Sequence, residues 1–270
     1  MSADSEIAVL EPTLLGPVNW IGFWTLYSRE VRRFLKVHMQ TIFAPVVTTL
    51  LFFAVFALSL GSNVRMVGPV PFLSFLTPGL MMMAMTQNAF ANTSSSLIIA
   101  KVQGNIVDVL MPPLSAGELM AGFALGGVTR GLVVGVVTGL AIWPFMPFTL
   151  AHPVFALYHG VMAVTMLALL GLIGGIWAEK FDHIAAVTNF IITPLSFLSG
   201  TFYSVKSLPE PIQWLARADP FFYMIDGFRY GFTGQNDGGL GVGLAAMLAG
   251  NLALGFLAWR MLKTGYKLKA

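Results

Sequence analysis

Residues 119–178 read LMAGFALGGVTRGLVVGVVTGLAIWPFMPFTLAHPVFALYHGVMAVTMLALLGLIGGIWA and carry a single formal charge, Arg130. A helix needs about 20 predominantly apolar residues to cross a hydrocarbon core ~30 Å thick, so this stretch is long enough for two spans. The break falls at Trp143-Pro144-Phe145-Met146-Pro147 and runs on to His152-Pro153. Prolines stop helices and aromatic rings favour the membrane–water boundary. The two spans are therefore expected at 119–143 and 153–178.

The gaps between charged residues give the other spans in the same way. One lies between Lys36 and Arg65, at 42–61, and one between Arg65 and Lys101, at 72–98; two more are read at 184–203 and 240–259. The expected fold is an all-α integral membrane protein of six transmembrane helices, forming a single transmembrane domain over residues 1–270. Composition agrees. Of the residues, 56% are hydrophobic and 10% charged, where soluble domains carry about 25% charged residues. A soluble chain of this size exposes too much surface to hide so much apolar area.

Lys and Arg accumulate on the cytoplasmic side of membrane proteins. The N-terminus begins with Asp4, Glu6 and Glu11, unlike the basic start of a signal peptide, and is read as retained and cytoplasmic. Six spans then put Arg29, Arg32, Arg33, Lys36, Lys101, Lys180, Arg260, Lys263, Lys267 and Lys269 inside, and Arg65, Lys206, Arg217 and Arg229 outside. The asymmetry supports cytoplasmic placement of both termini.

Several chemistries are excluded. There are no cysteines, hence no disulfide, thiolate metal site or Cys nucleophile. His38, His152, His159 and His183 are scattered without metal-ligand spacing. No Lys/Arg-rich run suggests nucleic acid, and no Ser/His/Asp set or deep pair of acids suggests catalysis.

Three stretches do not span. In residues 1–41, the part from Trp20 to Val37 mixes apolar and basic residues at helical spacing, including Arg29, Glu30, Arg32 and Arg33. It reads as a helix in the inner interface, or else as a positively charged span flank. Residues 99–118 lie inside between spans two and three, broken by Gly104 and Pro112-Pro113, with room for one or two helical turns from Asn105 to Met111. Residues 204–237 lie outside and are rich in aromatics. Ser207 is expected to cap a helix with Pro209 in its first turn, and Asp219 a second with Pro220 at its first position. Two short helices dipping into the outer leaflet fit this stretch.

Inside the spans, Arg130 needs a partner or a cavity. Asn88, Asn92 and Ser95 share one face of span two, and counting helical rise places Asn88 near the height of Arg130. These groups either line a transport path or tie spans two and three together. Gly127, Gly131, Gly135 and Gly139 form a ridge that permits close helix packing, expected within the chain more than between chains. Asp226 and Arg229, three apart, are expected to pair as ions.

In this order the segments resemble the ABC-2 family of bacterial export permeases over about residues 20–265. Three patterns carry the resemblance: Gly104-Asn105, Asp108, Leu110, Pro113-Leu114-Ser115 and Glu118; Thr193-Pro194 with Ser199-Gly200-Thr201-Phe202; and Leu208-Pro209, Asp219-Pro220 and Gly227-Phe228-Arg229. Many relatives carry Thr in place of Asn105 and Asn in place of Asp219, changes that keep the local role. The resemblance implies a multi-pass protein of the bacterial inner membrane that exports a lipid, glycan, drug or similar amphipathic cargo. The chain has no phosphate-binding loop of the Gly-x-x-x-x-Gly-Lys-Ser/Thr type. ATP and Mg would be bound by a separate ABC ATPase, two copies of it serving two copies of this chain, with cargo crossing between the two permeases. Gly104, Asn105, Asp108, Met111, Pro113 and Glu118 would form the ATPase-coupling segment. The resemblance thus implies no enzyme activity and no cofactor in the chain itself.

A stand-alone secondary transporter or channel is the competing class. Such proteins usually bring internal repeats or ion-coupling acids within the membrane. Spans one to three do not visibly repeat in four to six, and no acid sits at mid-membrane. An intramembrane enzyme is weaker still, because no catalytic set is present.

Overall fold

The computed structural model describes residues 16–59 and 66–268. Asp4, Glu6, Glu11, Arg65, Lys269 and the end of the first expected span lie outside the described residues.

Helix α1 (Trp20–Lys36) begins at Asn19, whose side chain accepts from the Gly22 amide at 2.9 Å, and ends with Arg33 and Lys36 in the last turn, where cations complement the helix dipole. Its buried stripe is Leu26, Glu30 and Phe34, while Trp20, Ile21 and Trp24 are exposed. With aromatic rings left outside and a carboxylate taken inside, α1 packs along the bundle by one face.

A wide π-turn, Met39–Phe43, leads into α2 (Ala44–Ser59), and a second, Thr188–Ile192, joins α7 (Phe181–Val187) to α8 (Thr193–Leu198). In both places a proline, Pro45 or Pro194, stands two residues beyond the turn. A proline ring clashes with the carbonyl four residues back, and widening the turn gives that carbonyl room. Each π-turn leaves its helix continuous enough to cross a membrane.

After a two-residue antiparallel hairpin, β1 (Met66–Val67) with β2 (Val70–Pro71), comes the 31-residue α3 (Phe72–Val102). The hairpin is the one departure from an all-helical chain among the described residues. Then follow α4 (Ile106–Leu110), α5 (Ala116–Ile142), α6 (Pro153–Trp177), and, after α7–α8, α9 (Glu210–Ala218), α10 (Pro220–Thr233) and α11 (Leu240–Thr264). Helix α3 is the hub, packing most extensively on α6 and α5.

The glycine ridge of α5 makes this close approach possible. A Cβ on Gly131 would stand 2.9 Å from both the Met85 carbonyl and Val164, and one on Gly127 would meet Thr93 and Ala168. The ridge therefore packs within the chain, against α3 and α6.

Among the described residues, five helical segments are long and apolar enough to cross a membrane: Met39–Ser59, Ala116–Ile142, Pro153–Trp177, Phe181–Leu198 and Leu240–Thr264. The expected second span, α3, is long enough but too polar to count with them. Its Thr86, Asn88, Asn92, Thr93, Ser94 and Ser96 are buried by neighbouring helices, so the polar groups meet protein and not lipid. The fifth expected span is shifted. It starts three residues early and its helix stops at Leu198, because the chain turns through Gly200 at φ +83°.

The outer segment differs from expectation at its start. Ser207 caps no helix: its hydroxyl donates to the Ser204 carbonyl at 2.6 Å within a short 3-10 turn, Val205–Ser207. Pro209 takes the capping position of α9. Asp219 caps α10 as expected, accepting from the Phe221 amide at 3.0 Å. Helix α10 has 14 residues, about 21 Å at ~1.5 Å per residue and too short to cross ~30 Å. It lies buried against α6 and α3, with Gly227 over His159 and Gly231 over Ala156.

Candidate functional site

Two polar knots and one exposed turn concentrate the chemistry of the chain. The first knot docks α1 on α3. Glu30, fully buried, accepts from Arg29 at 3.2 Å, from Arg33 at 3.1 Å and from the Ser96 hydroxyl at 2.8 Å. Arg33 also reaches the Asn92 carbonyl at 2.6 Å, its side-chain oxygen at 3.2 Å and the Ser95 hydroxyl at 3.1 Å. A buried carboxylate is tolerated only when paired and hydrogen-bonded, and Glu30 is both. Gly126 makes room, since a Cβ there would stand 2.6 Å from Glu30 Cβ. Arg32, by contrast, takes no part in this knot and is exposed.

Deeper in the bundle, Arg130 donates to Asn88 Oδ1 at 2.7 Å. Asn92, which shares that face of α3, belongs to the Arg33 knot instead. The Arg130 Nε and Asn92 Nδ2 are buried without a hydrogen-bond partner among the described residues. Arg130 thus ties α5 to α3 and still has donor capacity to spare.

The second knot fixes α10. Asp226 and Arg229 were expected to pair with each other; among the described residues they form no ion pair. Asp226 accepts from the amides of Asp237 and Gly238 at 2.6 and 2.9 Å. Arg229 donates to the carbonyls of Phe75 at 3.1 Å and Gly200 at 2.6 Å, and its guanidinium lies 3.6 Å above the Phe75 ring. Each charge is met by backbone dipoles and, for Arg229, by an aromatic face, so the two side chains diverge although their helical spacing would let them meet. Asp219 adds a bond from the Ser199 hydroxyl at 2.6 Å. These three residues lock α10 to α3, to the 199–204 turn and to the entry of α11.

The exposed turn is α4. Gly104 turns the chain at φ +75°, and Asn105 occupies the capping position without a side-chain cap bond. Ile106 and Val109 are buried, whereas Val107 and Met111 are 57% and 72% exposed and Asp108 faces out beside them. Rigid supports flank this face. On one side the Lys101 ammonium donates to the carbonyls of Ile176 and Ala178, the latter at 2.9 Å, closing the end of α6. On the other, the Pro113 carbonyl accepts from Asn19 Nδ2 at 3.2 Å, and Glu118 is fully engaged. Its Oε2 accepts from the Ser115 amide and its Oε1 from the Asn19 amide, both at 2.6 Å, while the Ser115 hydroxyl caps the Glu118 amide. Glu118 is thus a clasp between the starts of α1 and α5 and not an outward charge. Beyond α6, Lys267 bonds Glu179 at 2.7 Å, which holds the Glu179 carboxyl below its ordinary range and raises the Lys267 ammonium.

Glu30 and Arg33 are named by the sequence as residues of α1 and Lys101 as a cytoplasmic charge, but their partners Ser96, Asn92 and Ala178 are too distant in sequence to foresee. The Ser115-Ala-Gly-Glu118 capping box was the one legible signal among the overlooked features.

A helical bundle with five segments able to cross a membrane among the described residues, and an exposed turn clasped between two long helices, is the build of a multi-span membrane protein. The chain belongs to the ABC-2 type transporter family, whose sequence profile matches residues 21–233, from the start of α1 to the end of α10. Among curated proteins it is similar to the inner membrane transport permease YadH of Escherichia coli (strain K12), 36% identical over 252 residues that cover 93% of this chain and 98% of that protein. It is also similar to nodulation protein J of Sinorhizobium fredii (strain NBRC 101917 / NGR234), 24% identical over 86% of this chain and 87% of that one. The same-named protein of Rhizobium leguminosarum bv. viciae is 27% identical over 82% and 84% of the respective chains.

Proposed function

We propose that this permease is the membrane half of an ATP-driven exporter in a bacterial inner membrane, working as two copies with two ABC ATPase subunits that bind ATP and Mg. In this reading α3 is the second of six spans, sheltered by the other five, and both termini and α4 face the cytoplasm. The α9–α10 segment re-enters from the outside. Cargo, a lipid, glycan, drug or similar amphiphile, crosses between the two copies.

The exposed face of α4 carries the reading. Asn105, Val107, Asp108 and Met111 present apolar surface and a charge that the bundle does not use. A five-residue helix is unstable alone in water, yet this one is held between the Lys101 and Glu118 anchors. An ATPase pressing on it would displace α3, α5 and α6 together, as a rigid-body transmission requires.

The test is reconstitution of the permease with its ATPase. Asp108→Lys combined with Met111→Glu should insert normally, retain much less ATPase on purification and lose ATP-driven transport. Full ATPase retention with transport still coupled to hydrolysis would refute the coupling role.

A further inference from the structure

Between α1, the C-terminal end of α3, α4 and α5 lies a cavity of about 1000 Å³. Its wall carries five basic side chains, Arg29, Arg32, Arg33, Lys36 and Arg130, against two acidic ones, Glu30 and Asp108. Glu30 is already consumed by Arg29, Arg33 and Ser96. Arg32 and Lys36 stand four apart on α1 and take part in none of the ion pairs of the described residues. Arg130, only 9% exposed, brings a buried Nε with no partner. Cations are thus gathered around a space where the described residues supply too little negative charge to balance them, and guanidinium groups present planar forks that match phosphate and carboxylate oxygens.

The depth of the cavity narrows the ligand class. Arg130 stands 14 residues beyond the first residue of α5, roughly 21 Å along the helix at ~1.5 Å per residue. Helix α1 runs beside that length of α5, with Leu26 against Gly122 and Glu30 against Gly126, so its cations and Arg130 stand together well along α5 from its start. The same α1 that supplies four of the cations exposes Trp20, Ile21 and Trp24, a surface suited to the membrane boundary. A small soluble anion has no use for that apolar flank. An acidic protein segment could reach Arg32 and Lys36 at the rim but not the buried Arg130.

We propose that this cavity binds the anionic headgroup, phosphate above all, of an amphiphile drawn from the adjoining leaflet. The proposal rests on the exporter reading and specifies its cargo class. Binding can be measured without the ATPase, so its failure is separable from failure of ATP-driven transport.

The full chain is placed in phosphatidylcholine nanodiscs with or without dioleoyl phosphatidic acid, and separately with inorganic phosphate. Bound lipid is counted by native mass spectrometry alongside thermal unfolding. Phosphatidic acid should bind and raise the unfolding temperature more than inorganic phosphate does. Arg130→Gln should weaken it about tenfold, the loss expected from one charge-assisted contact, and Arg32→Gln with Lys36→Gln, which removes two charges, by more than about tenfold. Lys263→Gln, outside the cavity, should bind as the unaltered chain does. Should Arg130→Gln not fold, Arg130→Lys, which keeps the charge and loses the fork, takes its place and should still weaken binding. Equal binding by all variants would show general attraction to the surface and overturn the proposal. So would protection by inorganic phosphate alone, or dependence on Arg32 and Lys36 without Arg130, which marks a rim contact such as a protein partner makes.

Discussion

Arg130 shows how far single residues can be read. Counting helical rise put it level with Asn88, and the two are joined at 2.7 Å. Arg130→Leu should still insert but melt at a lower temperature in detergent, with Arg130→Lys milder; interhelical polar contacts in membranes average only ~0.6 kcal/mol. An unchanged melting temperature for the Leu variant would show that the bond contributes nothing. Glu30→Ala should cost more than Arg130→Leu, because it strands Arg29 and Arg33 beside a site built around a carboxylate, and breaking a buried pair costs about 3–5 kcal/mol before allowance for the partly exposed arginines. The Asp226–Arg229 pair was misread for a physical reason. Helical spacing says which residues are neighbours, but Arg229 found its acceptors at Phe75 and Gly200, and contacts so distant in sequence leave no local trace.

At the scale of elements, charge-free runs located five membrane-length helices among the described residues to within about five residues, because lipid penalises charge wherever the chain meets it. They could not show that α3 meets mainly protein: beyond Asn88, Asn92 and Ser95, which share a face by spacing, Thr86, Thr93, Ser94 and Ser96 are buried as well. The π-turns are written in Pro45 and Pro194, yet a proline alone signals a break as readily as a widened turn. The Glu118 clasp predicts that Glu118→Ala loses about 1 kcal/mol, the usual worth of a cap, and that protease cutting rises near residues 19–22 and 113–115. Unchanged melting and cutting would show the clasp to be idle. The glycine ridge gives a sharper contrast. Gly131→Ala meets a backbone carbonyl at 2.9 Å and should cost about 1–3 kcal/mol by overpacking, while Gly117→Ala, with only Ser115 Oγ at 4.0 Å, should be tolerated.

For the whole molecule, the proposed orientation follows from the excess of Lys and Arg on one side. The absence of cysteine allows single cysteines to report sidedness: one at position 236 should react with an impermeant thiol reagent on cells whose outer membrane has been permeabilised, and one at position 105 should not. Reaction at 105 from outside would invert the topology. The family was legible because its patterns fall in order along the chain; the supports of α4 were not, because they come from Asn19, Lys101 and Glu118, on three different helix ends. The central claim is that α4 hands the work of a partner ATPase to the bundle. A photo-crosslinking side chain placed at Met111 in living cells tests it most directly, with the same group at Phe145, an exposed residue beyond the far end of α5, as control. An ATPase adduct is expected from position 111 and none from position 145; no adduct from 111, or one from 145 instead, would rule this role of α4 out.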